Sequence, residues 1–268
     1  VRLRRERAAD VEPREFIDGA NESFGAWGDA AFFAWAFRGD AEILFLDDDA
    51  GRTIAASGIT YRTVRYASGD EQLAAILTGS WTRADARGRG AFTQLVEATN
   101  ERARERDAIV LGFGRMENAS RRRIEAAGAT IHRAAYARGT MPMTAALDVL
   151  DPDPSLFARR SGSTFIYMPD EWRAQFIERP HANIECVGRD GEWAAIVERA
   201  NEFDRVHAIS DFAKLPLLAR GRPLFCYTTI EAEMQSLTAL GFELTDGFLP
   251  VHPASAISNW NLENGDRM

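Results

Sequence analysis

Positive charge, histidine and cysteine are all in short supply in this chain, and each shortage argues against a class of function. The 268 residues carry 32 Lys and Arg against 40 Asp and Glu, for a formal net charge of -8. Phosphate backbones are held by clustered cations, so nucleic acid is not expected as a partner, and an amine suits the charge balance better. The four histidines, His132, His181, His207 and His252, lie far apart without metal-ligand spacing, so no metal is expected. Cys186 and Cys226 stand alone in apolar surroundings and are expected to be reduced, buried thiols of a cytoplasmic protein. No apolar run approaches the ~18 to 20 residues of a membrane helix, and no membrane partner is expected. Residues 1–10 are charged and no apolar core follows them, which does not fit a signal peptide.

What the chain does have is enough apolar content, 46%, for one large or two small domains. Residues 12–37 are expected to be helical, with Phe16, Ile17, Ala20 and Phe24 at helical spacing. Three strands should follow at 42–46, 53–65 and 72–82, separated by Asp/Gly and Ser/Gly turns. The loop 83–90 leads to an amphipathic helix whose inner face holds Phe92, Leu95, Val96, Thr99 and Ala103. An apolar strand at 108–113, a short basic helix at 120–127 stopped by Gly128, and a strand at 129–140 complete the first half. Asp151-Pro152-Asp153-Pro154 is a candidate linker. The second half repeats much of this punctuation, and the best match sets the helix end before Gly128 against the one before Gly241.

The chemistry is concentrated in Arg87-Gly88-Arg89-Gly90-Ala91-Phe92-Thr93, between a strand and a helix. Glycines let bare backbone N–H groups approach a ligand, and the first turn of a helix leaves its N–H groups unpaired at the positive end of the dipole. Together they form an anion cradle suited to a pyrophosphate. A P-loop is absent, and a dinucleotide fingerprint would need Gly where Thr93 stands.

This segment resembles motif A of the GNAT superfamily, R/Q-x-x-G-x-G/A, with Arg87 and Gly90 in the first and fourth places. Phe92 fills the last place, where Gly or Ala is usual. Residues 117–128, with Asn118, Ser120 and Gly128, resemble motif B, N-x-x-S followed by a helix and Gly. Aligned from Ser120, Glu117 falls on the Asn position. The resemblance implies an α/β fold (α+β, mixed sheet) with two GNAT-like domains in tandem, each a central mixed β-sheet flanked by helices. Residues 1–148 would be the acyl-CoA-binding catalytic domain. Residues 149–268 would be a degenerate GNAT-like domain, because Asp211 and Pro216 stand where its phosphate loop should be.

It also implies an N-acyltransferase with acetyl-CoA or another acyl-CoA as co-substrate and a small-molecule amine as acceptor. A carrier protein as donor and a non-catalytic acyl-CoA sensor are the alternatives. Trp81 and Thr82 would offer backbone to the pantetheine arm, residues 87–93 would hold the pyrophosphate, and Asn118 would bond near the cysteamine end. The usual acid, a Tyr four residues before the motif B Gly, is Ile124 here. Tyr136 is a candidate replacement, or a strand aromatic. Glu117 is a candidate base, or a helix cap. Tyr61 either lines the acceptor pocket or packs.

Overall fold

The computed structural model describes residues 1–144, 146–157, 161–253 and 259–267. The chain divides into two compact units. The first takes Val1–Val64, Glu71–Ile131 and Leu249–Ala256, and the second takes Arg65–Asp70, His132–Phe248 and Ile257–Met268. This differs from the expected halves 1–148 and 149–268. The Asp-Pro segment lies inside the second unit, where Pro154–Phe157 forms a 3-10 turn whose Phe157 is buried. Residues 249–252, placed by sequence in the second half, pack in the first unit.

The first unit holds β1 (Arg2–Arg7), α1 (Pro13–Phe24), α2 (Ala30–Ala36), β2 (Glu42–Asp47), β3 (Thr53–Arg65) and β4 (Glu71–Thr82), with Arg65 itself counted in the second unit. After β4 come α3 (Ala91–Glu105), β5 (Ile109–Leu111), β6 (Gly114–Arg115) and α4 (Ser120–Ala126). The sheet order is β1-β2-β3-β4-β5, and Val251 and His252 pair antiparallel with Leu111 and Val110 beyond β5. β1 escapes the sequence reading because Arg-Leu-Arg-Arg-Glu-Arg has no apolar alternation. It is an edge strand held by its ladder to β2 and by Arg4, which reaches Asp47 at 2.6 Å, bonds Glu6 and Glu15, and lies 4.7 Å from the Phe45 ring centre. The helical stretch 12–37 is two helices. Gly25, at φ 86°, ends α1, and the Asp29 side chain accepts from Phe32 N–H to start α2.

Successive residues of β3 show the two faces of this sheet. Ile59 joins a core with Leu95 and Ala103 of α3, while Gly58 makes room for the Phe37 ring at the end of α2.

The second unit holds β7 (Thr130–Thr140), β8 (Asp148–Val149), β9 (Thr164–Ile166), α5 (Pro169–Phe176), β10 (Ile184–Arg189), β11 (Trp193–Arg199), β12 (Asp204–Ile209), β13 (Pro223–Thr228), α6 (Glu231–Ala239) and β14 (Glu243–His252). β7 gives its first two residues, and β14 its last four, to the first unit. The sheet order is β7-β13-β12-β11-β10-β8, antiparallel except for the β12–β13 pair. After β12 the chain forms a 3-10 segment, Phe212–Leu218, and not an α-helix, because Pro216 inside it has no N–H to give. Cys186 and Cys226 are free and buried. Burial pushes the Cys186 thiol up to about 11 and Cys226 further in the same direction. At the C-terminal end, residues 254–258 and 268 lie outside the described residues. Residues 259–267 are docked, with Trp260, Leu262 and Asp266 buried. Among the described residues no helix is long and apolar enough to cross a membrane, and no group of three His, Cys, Asp or Glu is placed to hold a metal ion.

Candidate functional site

β4 and β5 run parallel, yet they pair only at Ala74↔Ile109, Ala75↔Val110 and Ile76↔Leu111. β5 then stops while β4 continues to Thr82, and among the described residues no strand pairs with that edge of β4 on the β5 side. Gly79, at φ 61°, interrupts the alternation of β4 at this place. Leu77 therefore turns to α3, where it lines a cavity of about 20 Å³ with Val96, Asn100, Val110, Ile124 and His252. Trp81 turns the other way. Its ring lies 6.1 Å from Phe16 and occupies the space beside Gly19 of α1, where any Cβ would strike it. Its indole N–H is buried with no hydrogen-bond partner among the described residues, and so is Nδ1 of His252 in the cavity wall.

The loop after β4 is tied back by Arg87, whose Nε donates to the Thr82 carbonyl at 3.1 Å. Arg87, Gly88 and Arg89 are exposed. Gly88 and Gly90 take φ 77° and 85°, and a Cβ at either would meet nothing within 4 Å. Backbone conformation, not crowding, therefore demands these glycines. Gly90 is the N-cap of α3 and contributes no side chain, so the N–H groups of Ala91, Phe92 and Thr93 start a helix without a side-chain cap. Ala91 is buried, and Phe92 and Thr93 are half-buried.

Beside this helix start lies an open groove of about 740 Å³ lined by Thr93 and Glu97 of α3, by Glu117 and Asn118, and by Arg121, Arg122 and Arg123 of α4. Arg123 Nη1 donates to Thr93 Oγ1 at 3.1 Å. That link between the two helices has no local signal in the sequence, since its partners stand 30 residues apart. Glu117 is exposed, with Arg115 at 3.9 Å. Asn118 is exposed too, and its main chain closes the turn into α4: its N–H donates to the Arg115 carbonyl at 2.9 Å, and its carbonyl accepts from Arg121 at 3.1 Å.

The residues expected at the phosphate loop and at motif B thus gather around the start of α3. Tyr136 belongs to the second unit. It stands opposite Tyr227 on β13 of the second unit, ring centres 5.1 Å apart, with the Arg267 guanidinium 4.4 Å from its ring. Tyr61 packs: its hydroxyl donates to Glu42 at 3.2 Å and Arg106 lies 4.0 Å over its ring. Burial, then the Glu42 carboxylate, push its pKa up. Ile124, at the usual tyrosine position, is buried in the cavity wall.

No family model matches the chain, and no curated protein matches it in sequence. Solved structures do match its fold. A probable N-acyltransferase of Enterococcus faecalis superposes over 92% of this chain and 72% of its own, at TM-score 0.65 and 11% identity. A GCN5-related N-acetyltransferase of Anabaena variabilis gives TM-score 0.65 and 12% identity over 93% of this chain and 72% of its own. The N-myristoyltransferase of Saccharomyces cerevisiae with bound myristoyl-CoA gives TM-score 0.62 and 10% identity over 97% of this chain and 86% of its own. The chain therefore has the fold of the GCN5-related N-acetyltransferases, the GNAT superfamily.

Proposed function

We propose that the chain is an N-acyltransferase whose first unit binds an acyl-coenzyme A and passes the acyl group to the amine of a small molecule. One observation carries this reading: β4 parts from β5 just ahead of a left-handed glycine loop and the uncapped start of α3. A pyrophosphate suits the N–H groups and dipole at residues 91–93, with Arg87 and Arg89 adding charge. The unpartnered edge of β4, ending at Trp81 and Thr82, suits the amide-bearing pantetheine arm, which pairs with backbone as a strand does. Asn118 and the arginines of α4 line the groove beside it. Acetyl-CoA is the donor we assign first.

In the reaction the acceptor nitrogen forms a bond to the thioester carbonyl carbon. The carbonyl oxygen takes up the electron pair against backbone N–H, and the C–S bond then breaks to release thiolate. Glu117 is the candidate base for the amine proton. Coenzyme A thiolate leaves tolerably without an acid, so this scheme does not require Tyr136. The buried Ile124 favours a second reading, a protein that binds acyl-CoA and transfers nothing.

Calorimetric titration with acetyl-CoA tests the donor site. Saturable binding is expected for the parent and for Gly90→Asn, since Asn tolerates the left-handed region. Gly90→Asp puts a negative charge in the cradle and should weaken binding by about a hundredfold. Blank titrations of the parent with acetyl-CoA and with an acyl-loaded carrier protein would overturn the proposal. If binding holds, thiol release over a panel of amines separates the two readings: no release with any amine would leave a binder.

A further inference from the structure

The fork between β4 and β5 has a cavity at its closed end, within the first unit. Leu77, the first residue of β4 beyond the last pair Ile76↔Leu111, is half-buried and lines it. Leu111, Val96 of α3, Ile124 of α4 and Pro250 of β14 complete a hydrocarbon wall. Asn100 and His252 are its polar members. The Cε1–Nδ1 edge of His252 lies 3.6 Å from where a Cβ on Gly128 would stand, so that edge faces the stop of α4. The cavity measures about 20 Å³. One water-sized sphere takes about 10 to 15 Å³ of such space, which leaves room for about one or two heavy atoms.

Its place along β4 matches the reach of the donor. Arg87 ties the glycine loop to the Thr82 carbonyl, so a coenzyme A held at residues 91–93 meets the edge of β4 near Thr82. The pantetheine arm, with its two amides, reaches about as far as five extended residues, roughly 16 to 18 Å. Counting back about five residues from Thr82 arrives at Leu77. The thioester of a donor laid along this edge therefore comes to the fork, and its acyl tail to the cavity. The way beyond is closed. A Cβ on Gly112, just past β5, would stand 3.4 Å from Pro250 Cγ and 3.9 Å from Leu77 Cβ.

We propose that this cavity holds the acyl tail and sets its length, so that the donor carries an acyl group of about two or three carbons. The inference rests on the donor site proposed above and narrows it. One or two carbons beyond the thioester carbonyl fill the space. A longer chain has to force Leu77, Ile124 or Pro250 aside, and a packed interior resists that. An acyl group ending in a charge is excluded as well, because a hydrocarbon wall gives the charge no partner. Ile124, where the superfamily usually has its acid, supplies a wall instead. The return of residues 249–252 to the first unit gains a purpose too, since it brings Pro250 and His252 to the cavity.

Calorimetric titration of the full chain with free coenzyme A and its acetyl, propionyl, butyryl and octanoyl thioesters tests this. Acetyl- and propionyl-CoA should bind within about threefold of each other. Butyryl-CoA should bind about tenfold more weakly than acetyl-CoA, and octanoyl-CoA about a hundredfold, since one methylene too many in a fitted apolar pocket counts for about tenfold or more. Leu77→Ala and Ile124→Ala enlarge the cavity from β4 and from α4. Each should bring octanoyl-CoA to within about tenfold of acetyl-CoA. The readout is the ratio of two thioesters within one variant, which a general weakening does not imitate. If one variant fails to fold the other decides, and if both fail the parent series decides. Equal binding of the four thioesters by the parent, or a preference that neither folded variant shifts, would overturn the proposal and leave the donor site standing. No binding of free coenzyme A or of any thioester would overturn the donor site and this inference together.

Discussion

Both units contain one parallel strand pair that parts soon after it forms, and the two gaps are treated in opposite ways. In the first unit β4 and β5 share three paired positions, and in the second β12 and β13 share two, Asp204↔Leu224 and Arg205↔Phe225. Beyond the first pair lie the Gly88–Gly90 loop and the 15-residue α3. Beyond the second, the chain fills the gap with its own residues. Glu263 bridges to Thr228 of β13, and its carboxylate accepts from Ile209 N–H of β12 at 3.3 Å. Asn264 bonds the buried His207 at 3.0 Å, and Gln175 donates to the Gly265 carbonyl. After β12 there is no glycine loop. Asp211 caps Ala213 N–H with its own carboxylate, and Pro216 restricts the next stretch to a 3-10 segment. Buried backbone groups must find partners. The second unit supplies them from residues 262–267, whereas among the described residues no strand covers the β5 side of β4 beyond Ile76, the edge proposed above for the donor.

The strongest way to break this contrast is to loosen the filling segment. Leu262 is fully buried, and Leu262→Ala should cost about 2 to 5 kcal/mol. Hydrogen exchange should quicken at Val206, His207, Ala208 and Ile209 and at Cys226, Tyr227 and Thr228. The amides of α3 should keep their protection. Uniform quickening over both units, or none in β12 and β13, would mean that the segment does not hold the second gap closed.

Acid should act on the same place. His207 is 1% exposed, and its Nδ1 accepts from Arg179 at 2.8 Å and from Asn264, so its proton sits on Nε2, facing Glu198 at 3.1 Å. Burial, opposed by Glu198 and reinforced by Arg179, lowers its pKa to about 4. Glu198, despite its burial, is held down to about 2 by His207 and Arg205. A depressed histidine favours the fold fully above its unfolded pKa, ~6.5, and loses that contribution as pH falls towards 4. Glu198 adds its own loss below ~4.5. Stability of the second unit should therefore fall between pH 6.5 and 4 by up to roughly 3 kcal/mol. Denaturant titrations at a series of pH values check this, and His207→Gln should flatten the upper part of the slope.

Legibility in the sequence depends on how local each cause is. The glycine loop, the face of α3 and the stop at Gly128 are set by neighbours a few residues apart, and pattern reading finds them. The broken alternation at Gly79 escapes it, because a single glycine in an apolar strand does not announce which way its neighbours turn. The return of residues 249–252 to the first unit, the Arg123–Thr93 link and the docking of residues 262–267 join positions remote in sequence. No periodicity encodes such contacts. Tyr136 shows the same limit: its strand is legible, but its neighbours Tyr227 and Arg267 are not.

The smallest expected effect tests whether the groove between α3 and α4 belongs to the donor site. Arg123 steadies the first turn of α3 through Thr93 and adds a positive charge to that groove. An exposed cation beside an anionic ligand contributes on the order of 1 kcal/mol, and salt screens it. Arg123→Ala should therefore weaken acetyl-CoA binding by about three- to tenfold at low ionic strength and by less at high salt. Arg220→Ala is the matching change in the second unit, where Arg220-Gly221-Arg222 comes after a helical segment instead of opening one. It should leave acetyl-CoA binding unchanged. Equal losses in both variants would mean that the whole chain's charge attracts the donor, and the contrast between the two gaps would then rest on their backbone alone.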